Sequence, residues 1–161
     1  MRTVAAFTDT YLPTVNGVSY TVRTWRRRWR QQGGRMAVVY PKDGDYRPTT
    51  GEHPVSSVPF PFYREFRFAR PSIPGGVNEP RPDVVHTHTP FTLGLAGKRF
   101  AATIDAPLVA SYHTPASEYA DYISDAFAGT IERIADGYER WYFGTADAVV
   151  VPSKTAAQAI N

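Results

Sequence analysis

Hydrophobic residues along this chain fall into short solid runs, separated by stretches that repeat with helical spacing. Val4-Ala5-Ala6-Phe7 is the first run and stops at Thr8-Asp9-Thr10, as a buried strand ending in a loop does. Past a loop from Tyr11 to Gly17, Val18, Val22, Trp25 and Trp29 recur at helical intervals and predict an amphipathic helix. Arg23, Arg26, Arg27, Arg28 and Arg30 are assigned to its solvated side, and Gly33-Gly34 ends it. Met36-Ala37-Val38-Val39-Tyr40, closed by Pro41, is the second strand, which completes a β–loop–α–β unit.

The pattern then loosens. Lys42 to Pro82 is rich in Pro, Gly and Arg, with a short strand predicted at Val55-Ser56-Ser57-Val58 and mostly loop or weak helix from Pro59 onward. Regular alternation returns with a strand at Asp83-Val84-Val85-His86, a helix from Leu93 to Thr103 and a strand from Pro107 to Tyr112. A long helical stretch from Ser117 to Gly144, with a break expected near Gly129, leads to a last strand at Ala148-Val149-Val150-Val151. Lys154 to Ile160 begins another helix. Continuous apolar strands alternating with helices imply a parallel sheet covered on both faces, so the expected class is α/β, doubly wound. A domain seldom stops just after a helix begins, and the expectation is that the natural chain continues beyond Asn161.

Composition narrows the class. With 161 residues, 42% hydrophobic and 20% charged, the chain has the length and apolar content of one packed domain rather than of a disordered segment. No run approaches the about eighteen apolar residues of a membrane-spanning helix, and the apolar start is too short for a signal peptide. Cysteine is absent, which removes disulfide and thiolate chemistry and points to a cytoplasmic protein. Charge is lopsided: residues 1–100 hold 15 Lys and Arg against 7 Asp and Glu, whereas residues 101–161 hold 3 against 8. The basic half favours an anionic partner, either a phosphorylated ligand or an anionic membrane surface. Nucleic acid is disfavoured, because the strands are apolar throughout and offer no aromatic-and-basic binding face.

Candidate chemistry collects where strands end. In an open parallel sheet, ligands bind beyond the carboxyl ends of the strands. Asp9 and Tyr11 follow the first strand, His86 and His88 the strand at 83–85, His113 the strand at 108–112, and Ser153 the last. Asn16-Gly17 opens the first helix, where free amides and the helix dipole suit a phosphate, yet neither a dinucleotide fingerprint nor a P-loop is present. His86 and His88 project from one side of an extended segment and with His113 would form a three-histidine metal site.

Several blocks in order resemble glycosyltransferase family 4, retaining enzymes of the GT-B fold. They are Phe7-Thr8-Asp9-Thr10-Tyr11-Leu12-Pro13, Asn16-Gly17-Val18-Ser19, Pro59-Phe60-Pro61-Phe62-Tyr63 with Arg67, and Pro82 to Phe91 around His86-Thr87-His88. Ser111-Tyr112-His113-Thr114 with Glu118-Tyr119, and Asp147 to Ser153, complete them. The branch most similar glycosylates lipids. The resemblance implies that residues 1–161 are the N-terminal, acceptor-side, Rossmann-like domain, with the C-terminal donor-binding domain and its E-x7-E motif absent from this chain. It implies that His113 is the catalytic histidine near the transferring sugar, that Gly17, with Asn16 beside it, meets the donor diphosphate through its amide, and that Asp9, Tyr11 and His88 line the acceptor. The implied reaction is metal-independent transfer of a hexose from a nucleotide sugar, with no resident cofactor, and a fragment of this length would transfer no sugar alone. The alternatives are a metal-dependent hydrolase built on His86, His88 and His113, and a non-catalytic sugar- or phosphate-binding module.

Overall fold

The computed structural model describes residues 1–61, 66–113 and 128–159. The expected helix before Ala128, with Thr114, Glu118 and Tyr119, and Phe62 and Tyr63 of the resemblance lie outside the described residues. Among the described residues the elements are, in chain order, β1 (Thr3–Phe7), α1 (Gly17–Gln31), β2 (Arg35–Pro41), β3 (Glu52–Val55), β4 (Ser57–Pro59), β5 (Arg67–Ala69), a 3-10 turn (Gly75–Asn78), β6 (Val84–Thr87), α2 (Thr92–Ile104), β7 (Leu108–Ser111), α3 (Ala128–Gly144), β8 (Ala148–Val150) and α4 (Lys154–Ala159).

Six strands form one sheet in the order β3-β2-β1-β6-β7-β8, every neighbouring pair parallel. The chain winds outward from β1 through β2 to β3, then returns to β6 on the other side of β1 and winds outward again. Order therefore reverses between β1 and β6, where Phe7 lies level with Val39 on one side and Thr87 on the other. This reversal is the topological switch point, and the crevice above it is where such sheets bind ligands.

Strand alternation divides the apolar side chains between two faces. On one face Ala6, Met36, Val38 and Tyr40 pack under Val18 and Val22 of α1, with Trp25 and Trp29 partly buried against them. The tryptophans thus serve the core of a crossover helix. On the other face Ala5, Phe7, Val39, Val85 and Leu108 meet Leu93, Ala96, Phe100 and Ala101 of α2. Ala110 and Tyr112 continue that face and pack on Tyr142 and Phe143 of α3. Close approach of α2 needs glycine at two positions: a Cβ at Gly94 would lie 1.8 Å from the Thr89 carbonyl oxygen, and one at Gly97 would lie 2.8 Å from the Phe7 ring.

Two sequence expectations are corrected. The single strand expected at 55–58 breaks at Ser56, because β3 belongs to the main sheet while β4 pairs antiparallel with β5 in a separate hairpin. That hairpin occupies part of the region expected to be loop. Arg26, expected on the solvated side of α1, is buried and paired with Glu52 at 3.1 Å. Position 26 is four residues beyond Val22 and three before Trp29, so helical geometry places it on the core face whatever its charge.

Glu52 makes that burial tolerable. Its carboxylate accepts bonds from Arg26, the Tyr11 and Tyr46 hydroxyls and the Thr49 amide. Burial works to raise its pKa, but the bonds from Thr49, Tyr46 and Tyr11 and the Arg26 charge outweigh it and hold the carboxyl below its ordinary value. Arg26 also donates to the backbone carbonyls of Met36 and Thr50, so the pair is saturated on both sides.

Candidate functional site

Topology brings most of the sequence-predicted site residues to the carboxyl edge of the sheet. Asp9 and Tyr11 follow β1, Asn16 and Gly17 open α1, His88 follows β6 and His113 follows β7, while His86 lies within β6 itself. Their side chains do not share one site. They separate into a core network, two helix caps and a column of rings.

Tyr11 belongs to the core network. It is 4% exposed, donates to Glu52 at 3.0 Å and packs against the Tyr40 ring. Burial and the Glu52 carboxylate push its phenol above the ordinary tyrosine range.

Asp9 is a cap supplied from a distance. Its carboxylate accepts from the Thr92 hydroxyl at 2.7 Å and the Leu93 amide at 2.9 Å on one oxygen, and from the Thr89 hydroxyl at 2.6 Å and the Gly94 amide at 3.4 Å on the other. These donors sit at the N-terminus of α2, whose own N-cap residue, Phe91, makes no side-chain cap bond. Burial drives the Asp9 pKa up and the four bonds counter it only in part. Placed as an acceptor-lining residue by resemblance, Asp9 here turns both oxygens toward α2.

Asn16 is the second cap. Its side chain accepts from the Ser19 amide at 2.9 Å, while the Ser19 hydroxyl accepts from the Asn16 amide at 2.9 Å, a reciprocal capping box. Asn16 also donates to Thr10 at 2.8 Å, which ties the cap to the loop after β1. Gly17 is exposed, with nothing within 4 Å of where a Cβ would sit. Space for a ligand at the first turn of α1 is therefore open, and helix amides favour an anion there.

The histidines form the column. His86 and His88 stack at 4.2 Å between ring centres, 25° from parallel, and the His113 ring lies 5.5 Å from His88, 21° from parallel and edge to edge with it. Trp25 of α1 packs against both His86 and His88, at 5.2 and 5.5 Å. His86 Nε2 is 2.8 Å from the Ser111 hydroxyl, and His88 Nδ1 is 3.2 Å from His113 Nε2. His88, the middle ring, is 1% exposed, His86 is 8% exposed and His113 is half-buried. Burial holds all three below the ordinary histidine value, His86 at about 4 with the His113 charge adding to the effect, so the rings are neutral near pH 7.

The three-histidine metal reading fails on this geometry. Alternation along the strand does put His86 and His88 on one side, but their lone pairs lie in nearly parallel ring planes and do not converge on one point. Among the described residues no group of three His, Cys, Asp or Glu is placed to hold a metal ion. Sequence reasoning missed Trp25 and Ser111 as partners of the histidines. Their signals were present, Trp25 on the core stripe of α1 and Ser111 two residues before His113 on the same side of β7. Among the described residues no helix is long and apolar enough to cross a membrane.

Known proteins agree with this architecture. A sucrose-phosphate synthase chain from Thermosynechococcus elongatus superposes with a TM-score of 0.60 at 11% identity, over 99% of this chain and 81% of that one, which establishes the shared fold. The α-monoglucosyldiacylglycerol synthase of Streptococcus pneumoniae is 29% identical over 158 residues, covering 94% of this chain and 35% of the relative. A GDP-mannose-dependent α-mannosyltransferase of Mycolicibacterium smegmatis is 29% identical over 171 residues, covering 96% of this chain and 43% of the relative. The chain thus spans less than half the length of these relatives. Residues 15–161 match the family model for Glycosyltransferase Family 4, and the chain belongs to that family.

Proposed function

We propose that this chain is the N-terminal, acceptor-side domain of a GT-B enzyme that moves a hexose from a nucleotide sugar to a lipid acceptor. The observation that carries the reading is the half-buried, neutral His113 standing at the open carboxyl edge, anchored from behind by His88. A neutral imidazole held in that position is a hydrogen-bonding group and dipole directed at the reacting sugar, where charge develops near the anomeric carbon. The Gly17 amide, in open space at the α1 N-terminus, meets the donor diphosphate.

Names of the relatives support the substrate classes, since one makes a glucosyldiacylglycerol and another uses GDP-mannose. Both names specify α-linked products, which from an α-linked nucleotide sugar means retention of configuration. Metal-independent transfer fits a diphosphate steadied by helix amides and basic side chains. Exposed Arg23, Arg27, Arg28 and Arg30 on α1 give the domain a basic surface suited to an anionic membrane, and the protein acts from the cytoplasm as a peripheral enzyme. Liposome binding that weakens as salt rises is the expected behaviour; attachment insensitive to salt would remove the electrostatic role.

Turnover of sugar nucleotides by the native-length protein, with a chelator and with His113→Ala, tests the reading. Turnover should survive the chelator and fall about a hundredfold or more in the variant. Activity abolished by the chelator would overturn metal independence, and a fully active His113→Ala enzyme would remove His113 from the reaction.

A further inference from the structure

His88 is the most buried of the three histidines, and one of its ring nitrogens is unaccounted for. Nδ1 meets His113 Nε2 at 3.2 Å, while Nε2 is buried with no hydrogen-bond partner. An orphaned polar atom in a packed interior is costly, and an apolar side chain of similar size would avoid that cost. Its surroundings do not require a histidine for packing: the ring meets His86 on its face, His113 at its edge, and Trp25. What the imidazole supplies and a hydrocarbon would not is the bond from Nδ1 to His113.

That bond constrains where protons sit. Both rings are neutral, each carries one N–H, and a single proton lies between His88 Nδ1 and His113 Nε2. If the proton belonged to His113, His88 would keep its own proton on the orphaned Nε2 and bury an unpaired N–H. Buried N–H groups without acceptors are the rarer defect in folded proteins, so the shared proton is placed on His88 Nδ1. His113 Nε2 is then the acceptor and its proton is on Nδ1. Among the described residues no protein group pairs with His113 Nδ1.

We propose that His88 is a positioning residue that locks His113 in the Nδ1–H tautomer, so that His113 presents a hydrogen-bond donor, rather than a lone pair, to the substrate. The inference rests on the transferase reading for its purpose but not for its test. His86 extends the same logic one ring further along the column. Its Nε2 is engaged by the Ser111 hydroxyl, and its ring stacks on the face of His88. Stacking sets the plane of His88, and the Nδ1 bond sets the tautomer of His113.

Long-range proton–nitrogen correlation of the histidine rings in the ¹⁵N-labelled chain near pH 7.5 reads this directly. His113 is expected to show a pyrrole-like Nδ1 and a pyridine-like Nε2, well separated. In His88→Ala the two signals should move toward each other as the tautomers mix. In His88→Asn, whose amide nitrogen reproduces the Nδ1 donor, they should separate again. A His113 that is already averaged in the parent chain, or that carries its proton on Nε2, overturns the proposal, as does a His88→Ala spectrum identical to the parent's. Should His88→Ala fail to fold, the parent and His88→Asn spectra still decide. In the native-length enzyme His88→Ala should lower turnover by about tenfold or more, with partial recovery in His88→Asn. Absence of transferase activity beside an intact single tautomer would count against the function alone.

Discussion

Asp9 and His88 sit at the same edge of the sheet, after the adjacent strands β1 and β6, and both are almost completely buried. Their polar atoms fare differently. Asp9 has both carboxylate oxygens filled by four donors from Thr89 to Gly94. His88 has one nitrogen bonded to a half-buried neighbour and the other bonded to nothing. A saturated buried group is explained by the fold it holds together, here the docking of α2 on β1. A buried group left unsatisfied, and joined to a residue that reaches the open edge, points to a use beyond stability. Position at the strand ends is therefore not enough to mark a site residue.

The largest expected effect falls on the saturated class. Arg26→Leu would strand the buried Glu52 carboxylate and is expected to cost about 3–5 kcal/mol in urea unfolding. A loss below about 1 kcal/mol would mean that Tyr11, Tyr46 and Thr49 hold Glu52 unaided. Asp9→Ala should cost about 3 kcal/mol, because the first-turn amides of α2 lose their acceptors. A near-neutral result there would return Asp9 to the list of residues free for substrate.

A pH titration separates Asp9 from the histidines by sign. The folded His86 value, about 4, lies below its ordinary 6.5, so the folded chain binds fewer protons than the unfolded chain between those limits. This contribution to stability is complete above pH 6.5 and is lost as pH falls toward 4, at up to about 1.4 kcal/mol per pH unit. His88 acts in the same direction. Asp9, with its raised pKa, has the opposite sign: it contributes more when protonated, and acid favours the fold at this residue. Urea midpoints should therefore fall between about pH 7.5 and 5, and His86→Gln should flatten that slope; an unchanged slope in the variant would mean that the column is not the source of acid sensitivity. The smallest stability effect is expected for His113→Ala, about 1 kcal/mol, since its ring is only half-buried. A cost equal to that of Asp9→Ala would make the whole edge structural.

The sheet was legible because period-two and continuous apolar runs report burial directly, and five of its strands appear within a residue or two of where the runs lie. The hairpin β4–β5 was not, since Ser57 to Pro59 and Arg67 to Ala69 are three residues each, too short to show a periodicity of their own. Arg26 was misplaced because its charge outweighed its helical position in the reading, and only Glu52, on a strand two places along the sheet from β1, explains the burial. At the site, the fold brings the rings of His113, His88 and His86 into contact, but their types alone suggest metal ligation as readily as ring packing.

By itself the sequence determined the α/β class, the helix that caps itself through Asn16 and Ser19, and the strand ends at which polar residues gather. These are local matters: apolar runs, a capping box and loop residues act over a few positions. Tertiary structure alone decided which polar residues are satisfied. The acceptors of α2 come from Asp9, more than eighty residues away, and the partner of His88 is His113, twenty-five residues on. Hydrogen-bond saturation depends on what the fold brings within about 3 Å, and no spacing along the chain encodes that distance.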